Sequence, residues 1–127
     1  MSEDISVEYL KRKDSALGLV LDSLFDGVYI VDRDRRILFW NRGAEELTGY
    51  SAADVTNRLC WDAILNHIDE EGCLLCRGHC PLMRAIATGA EVRERIYPLH
   101  RDGRRFPVDT HVAPLRDHAG DIIGAVE

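Results

Sequence analysis

Strand-like runs gather toward the two ends of this chain and leave its middle to short helices, and that order restricts the fold more than any other feature. "GVYIV" and "ILFWN" are β-branched and aromatic, and the charged turn "DRDRR" joins them as a hairpin. Far along the chain, "EVRERIYPL" and "RRFPVDTHVAPL" flank "HRDG". Val92 and Ile96 share a face, and Phe106, Val108, Thr110 and Val112 alternate, so a second hairpin turns at Asp102-Gly103. "DIIGAV" supplies a fifth strand. Between the hairpins, Gly49 ends one helix, and Ser51 with Asp54 three residues on opens another. Pro81 opens a further helix that Thr88-Gly89 closes. Ahead of everything, Leu17, Val20, Leu21, Leu24 and Phe25 at helical spacing predict an amphipathic helix from about residue 14 to 25, capped by Asp14 or Ser15. The result is an α+β fold: a five-stranded antiparallel sheet with short helices on one face and an amphipathic N-terminal helix. Two such layers leave a cavity between them in which a small ligand fits.

At 127 residues the chain makes one domain. A domain of this size buries about two-thirds of its unfolded surface, so its core needs no crosslink or metal. The net charge of −6 and the scattered basic residues exclude a phosphate-tracking stripe, and with it nucleic acid as a partner. No apolar run approaches the roughly 20 residues of a membrane span. "MSEDISVEYLKRKD" lacks the apolar core of a signal peptide, so the expected location is the reducing cytoplasm, without membrane contact. The last strand-like run reaches Glu127 abruptly, as a fragment of a longer protein would.

The succession "LFDGVYIVDRDRRILFWNRGAEELTGYSAADVTNRLC", continued by "HRDGRRFPVDTHVAPLRDHAGDIIGAVE", resembles a PAS domain over almost the whole chain. The resemblance implies a PAS sensory domain over residues 21–127 preceded by a helical extension over 1–20. It further implies a module that is not itself an enzyme, forms homodimers and regulates a C-terminal output domain such as a diguanylate cyclase or kinase. Flavin is disfavoured, because the asparagine-cysteine-arginine-phenylalanine-leucine run of light-sensing members is absent. Haem is disfavoured as well: "PLMRAIAT" offers no histidine, and Cys76 is followed by Arg77 rather than the histidine of a C-x-x-C-H attachment. An insertion at about residues 60–80, ending in "C-P-L", resembles a subset of PAS sensors often fused to diguanylate cyclases.

All four cysteines fall in that insertion: Cys60, then Cys73-x2-Cys76-x3-Cys80. Three readings stay open. Cys60, Cys73, Cys76 and Cys80, with His67 or His79 in place of one sulfur, suit zinc or an iron–sulfur cluster. Alternatively, Cys76 with Cys80, or Cys73 with Cys76, forms a reversible thiol switch. In the third reading the thiols are idle. Cys80 directly before Pro81 is placed at a helix N-cap, where the dipole favours thiolate.

Trp40, Asn41, Trp61 and Met83 are the candidates for contact with a cofactor in the cavity. Trp40 alternates with Phe39, so one faces the helices and the other the outer face, and core or dimer packing suits either. Asn41 matches an asparagine that the family uses to tie strand to helix. His100, His111 and His118 read as solvated or half-buried, and the scattered carboxylates as turn and loop solvation without a nucleophile, base and oxyanion arrangement. The readings that compete with metal or redox sensing are a plain dimerisation module and a small-metabolite sensor.

Overall fold

The computed structural model describes residues 10–12, 15–59, 67–68, 72, 75 and 80–127. Its elements, in chain order, are α1 (Ala16–Asp22), β1 (Tyr29–Asp32), β2 (Ile37–Trp40), α2 (Arg42–Thr48), α3 (Ala52–Val55), α4 (Pro81–Thr88), β3 (Val92–Ile96), β4 (Val108–Arg116) and β5 (Ile122–Val126). The five strands form one antiparallel sheet in the order β2-β1-β5-β4-β3. The expected α+β architecture and both hairpins are therefore present.

Local chemistry sets most boundaries as the sequence predicts. Ser15 caps α1 by accepting from the Gly18 N–H at 3.1 Å, and Ser51 caps α3 from the Asp54 N–H at 3.2 Å. Gly49 and Gly89 end α2 and α4 in the left-handed conformation. The first hairpin turns on Asp32, whose Oδ1 accepts from the N–H groups of Asp34 and Arg36, both at 2.9 Å. The second turns where the Gly103 N–H reaches the His100 carbonyl at 2.9 Å.

The N-terminal helix differs from its expected extent. It stops at Asp22 because Asn41 Nδ2 donates to the Leu21 carbonyl at 2.7 Å, so that carbonyl serves a side chain arriving from the end of β2. Leu17 and Leu21 pack with Ile30, Leu38 and Phe39 on the outer face of the sheet. Val20 and Leu24 of the same amphipathic stripe are exposed, as are Leu19 and Phe25.

The main core lies on the other face. Tyr29, Val31, Ile37, Trp40, Val112 and Ala125 meet Ala44, Val55, Leu82 and Ala85 there. Trp40 thus faces the helices and Phe39 the outer layer. Helix α4 packs on β3, β4 and β5, and α3 against β2. These contacts close most of the interface and leave one region beside β1 and the first half of β4 unfilled.

Candidate functional site

That region is a cavity of about 560 Å³, within the roughly 300–1,000 Å³ typical of small-molecule sites. Tyr29 and Trp40 form one wall, with ring centroids 5.1 Å apart and planes tilted by 42°. The Trp40 indole is fixed by its N–H, which donates to the Tyr50 carbonyl at 3.1 Å. Ala44, Leu47 and Thr48 of α2 form a second wall. Val108 and Thr110 contribute from β4, which pairs with β3 over Val108–Val112 and with β5 over Ala113–Arg116. The cavity sits beside that change of partner, so Ala113, His111 and Val126 line it too.

Few polar groups inside are free to bind a ligand. Thr48 Oγ1 donates to the Ala44 carbonyl and Thr110 Oγ1 to the Glu94 carbonyl. Glu127 follows β5 and exchanges two backbone hydrogen bonds with Tyr29, at 2.9 and 3.0 Å, so both side chains share the helix-facing side. Across that pair the Tyr29 hydroxyl donates to Glu127 Oε2 at 2.8 Å. His67 comes from the opposite direction. Ile68 pairs with Tyr97 in both directions, the Leu75 N–H donates to the His67 carbonyl at 2.9 Å, and the His67 imidazole lines the cavity. His67 is only 9% exposed, and among the described residues its ring makes no hydrogen bond.

Enclosure moves both titrations. Burial first, and the positive charge of Arg105 second, pull the His67 pKa down from 6.5 to about 4, so the imidazole is neutral. Burial pushes the Glu127 carboxyl up from 4.5 to about 7, against the opposing pull of its hydrogen bond from Tyr29. The residue as a whole is half-buried, but its carboxyl is enclosed.

The two shifts act on stability with opposite signs. Between about pH 4 and 6.5 native His67 binds fewer protons than the unfolded chain, so its contribution makes stability rise with pH. Between about pH 4.5 and 7 native Glu127 binds more protons, so its contribution is full below pH 4.5 and is lost as pH rises through 7. Urea midpoints of the wild type should therefore change little over the shared window. Glu127→Gln should unmask a rise with pH, and His67→Asn a fall. A wild-type curve parallel to that of Glu127→Gln would mean a solvated carboxyl.

The structure distributes the residues singled out in the sequence unevenly. Trp40 lines the cavity, whereas Asn41 and Met83 do not. Asn41 is wholly buried and structural. Its Oδ1 accepts from the Val28 and Ala44 N–H groups, both at 2.8 Å, and its Nδ2 donates to the Leu21 and Asp26 carbonyls. Met83 packs against the main core. Cys80 occupies the N-cap of α4 as expected, but its side chain makes no cap hydrogen bond and is buried in the same apolar core, where it fills space as a small hydrophobe. Trp61, Cys60, Cys73, Cys76 and His79 lie outside the described residues. Among the described residues no group of three or more His, Cys, Asp or Glu side chains gathers as a metal site. His111, read as solvated or half-buried, is about half-exposed and reaches the cavity rim. Sequence reasoning missed Tyr29 and Glu127. The alternation of "GVYIV" already placed Tyr29 with Val31 on one face, but nothing local marks Glu127 as its partner.

Comparison with known proteins agrees with this geometry. A family model described as PAS fold matches residues 21–127. The PAS domain of a protein from Colwellia psychrerythraea superposes with a TM-score of 0.71 at 22% identity, over 87% of this chain and 88% of that one. The dark structure of the blue-light photoreceptor Aureochrome1 LOV gives 0.63 at 28%, over 89% and 80%. VqmA bound to DPO gives 0.67 at 20%, over 88% of this chain and 55% of that one. No curated protein matches the chain.

Proposed function

Because this chain belongs to the PAS-fold family, whose domains are generally regulatory sensor modules, we propose that it senses a small organic ligand in the cavity and passes the signal to an attached output domain. The observation that carries this reading is a cavity of about 560 Å³ faced by a buried imidazole with no hydrogen bond among the described residues and by an enclosed carboxyl. Buried polar groups are normally hydrogen-bonded, so groups held short of partners around open space favour a ligand that completes them. Glu127 also gives the ligand a handle on the sheet: it is a cavity wall, and its backbone is tied to β1 beyond the last residue of β5. A ligand that binds one arrangement of this contact better than another shifts the population of the two. VqmA, of whose chain 55% matches this fold, is bound to DPO, and that supports a reading in which this chain too belongs to a protein that responds to a small ligand.

In a small-molecule screen followed by thermal shift, at least one compound should stabilise the wild type. Val108→Trp, which fills the cavity from β4, should remove that response. Equal stabilisation of Val108→Trp would place binding elsewhere. The attached output domain, the cytoplasmic location and a homodimer are parts of the same proposal. Exposed Val20 and Leu24 favour the dimer, which light scattering tests.

A second reading keeps the metal or redox role of the cysteines. The backbone bond from Leu75 to His67 joins the cysteine-bearing stretch to a neutral imidazole, the form that ligates zinc. Burial of Cys80 in the apolar core weighs against it. Colourless, metal-free protein after anaerobic purification, with thiols indifferent to oxidant, would end this reading.

A further inference from the structure

Taking small-ligand sensing as its premise, the polar lining of the cavity also specifies the charge of the ligand. Among the described residues no lysine or arginine lines it, Arg105 acting on it only through His67, although the charged and titratable groups around it come from several elements. Asp26 precedes β1 and is exposed, Asp109 and His111 come from β4, and His67 from the segment paired with Tyr97. Asp109 is already engaged by Arg95, which donates to both of its oxygens, at 2.9 and 3.3 Å. The neutral His67 supplies no charge. The enclosed Glu127 carboxyl is left as the dominant electrostatic feature, with Oε2 held by Tyr29 and, among the described residues, no donor on its other oxygen. Beside it stand the tilted rings of Tyr29 and Trp40, whose π-faces attract cations.

We propose that the cavity takes a small organic cation, an amine or amidine with an apolar body, whose N–H group donates to Glu127. An anionic ligand would meet the Glu127 carboxylate itself, whereas the positive charge of Arg105 acts on the His67 side, so carboxylates and phosphates bind weakest. A neutral molecule of the same shape gains the apolar contacts alone. The His67 imidazole, in its neutral form, can accept a second N–H group or donate to an acceptor on the ligand.

Isothermal titration of the 127-residue chain at pH 8 with 2-phenylethylamine, 2-phenylethanol and 3-phenylpropionate tests this, because the three share a body and differ in charge. The amine should bind about tenfold more tightly than the alcohol, the ratio expected for a charge-assisted hydrogen bond in an enclosed site. The carboxylate should bind weakest. Glu127→Gln should reduce the amine to the affinity of the alcohol while leaving the alcohol within about twofold of its wild-type value, a magnitude set by retained apolar contacts. Tyr29→Phe removes the other partner of the carboxyl and should preserve the order of the three. Alcohol or carboxylate binding as tightly as the amine, or an amine preference that survives Glu127→Gln, overturns the charge assignment and leaves ligand sensing intact. Failure of all three to bind overturns the cation assignment, whereas ligand sensing falls only if the thermal-shift screen finds no compound that stabilises the wild type.

Discussion

Asn41→Ala should lower the unfolding free energy by about 4 kcal/mol, seen as a fall of about 10 °C or more in the melting temperature. The side chain is wholly buried and makes four hydrogen bonds, at 2.7 to 3.0 Å. Two hold the N–H groups of Val28 and Ala44, and the second of these is the N-cap bond of α2, by itself worth about 1 kcal/mol. The other two occupy the carbonyls of Leu21 and Asp26 and so hold the end of α1 against the start of β1. Alanine removes all four bonds at once, and among the described residues only the Leu21 carbonyl of the four backbone groups keeps another partner, the Leu24 N–H at 3.3 Å. Asn41→Asp discriminates the roles: it keeps both acceptor bonds, loses both donors and faces a carboxylate toward two carbonyls. It should cost about as much as alanine, since an unpaired buried charge is at least as unfavourable as a lost hydrogen bond. A loss below about 1 kcal/mol in either variant would show that water replaces the side chain at little cost.

The second large effect is expected at Gly124. A β-carbon there would lie 2.0 Å from the Val31 carbonyl oxygen and 3.2 Å from the Asp32 Cα. Both obstacles are backbone of β1, the strand that β5 pairs with at Asp32↔Gly124, so no rotamer change relieves the clash. Gly124→Ala must separate two central strands, with a loss of about 3 kcal/mol or more. Because Glu127 lies on the same strand path, the Tyr29–Glu127 contact should go with it. Hydrogen exchange of the Tyr29 and Glu127 amides, which bond each other's carbonyls, should speed up in this variant. Unfolding free energy within about 0.5 kcal/mol of wild type would mean that the two strands part without penalty.

The candidate site divides in a way that follows from its chemistry. The sequence put Trp40 and Phe39 on opposite faces, but which of them met the helices was decided by the structure, where a bulge against β1 sets Ile37 with Trp40 and Leu38 with Phe39. His67 was singled out for a different reason, as a substitute metal ligand beside the cysteines, and its place in the cavity wall comes from the pairing of Ile68 with Tyr97. Asn41 was read correctly as a tie between strand and helix, yet it stood among the cavity candidates until its four partners accounted for its whole hydrogen-bonding capacity. For Cys80, position relative to Pro81 foretold the N-cap but not the direction of the sulfur. A cap places the backbone, while the packing of the core determines what surrounds the side chain.

By itself the sequence determined the strand order along the chain, the two hairpin turns, the helix caps and the faces of β3 and β4, because each follows from spacing within a few residues. Where α1 stops, which of its leucines find a core, and which acid stands beside Tyr29 depended on contacts between segments far apart in the chain. Asn41 reaches Leu21 from twenty residues away, and Tyr29 meets Glu127 across ninety-eight. Only the tertiary structure could decide these, since the enclosure that moves the Glu127 and His67 titrations is created by several elements closing together and belongs to none of them alone.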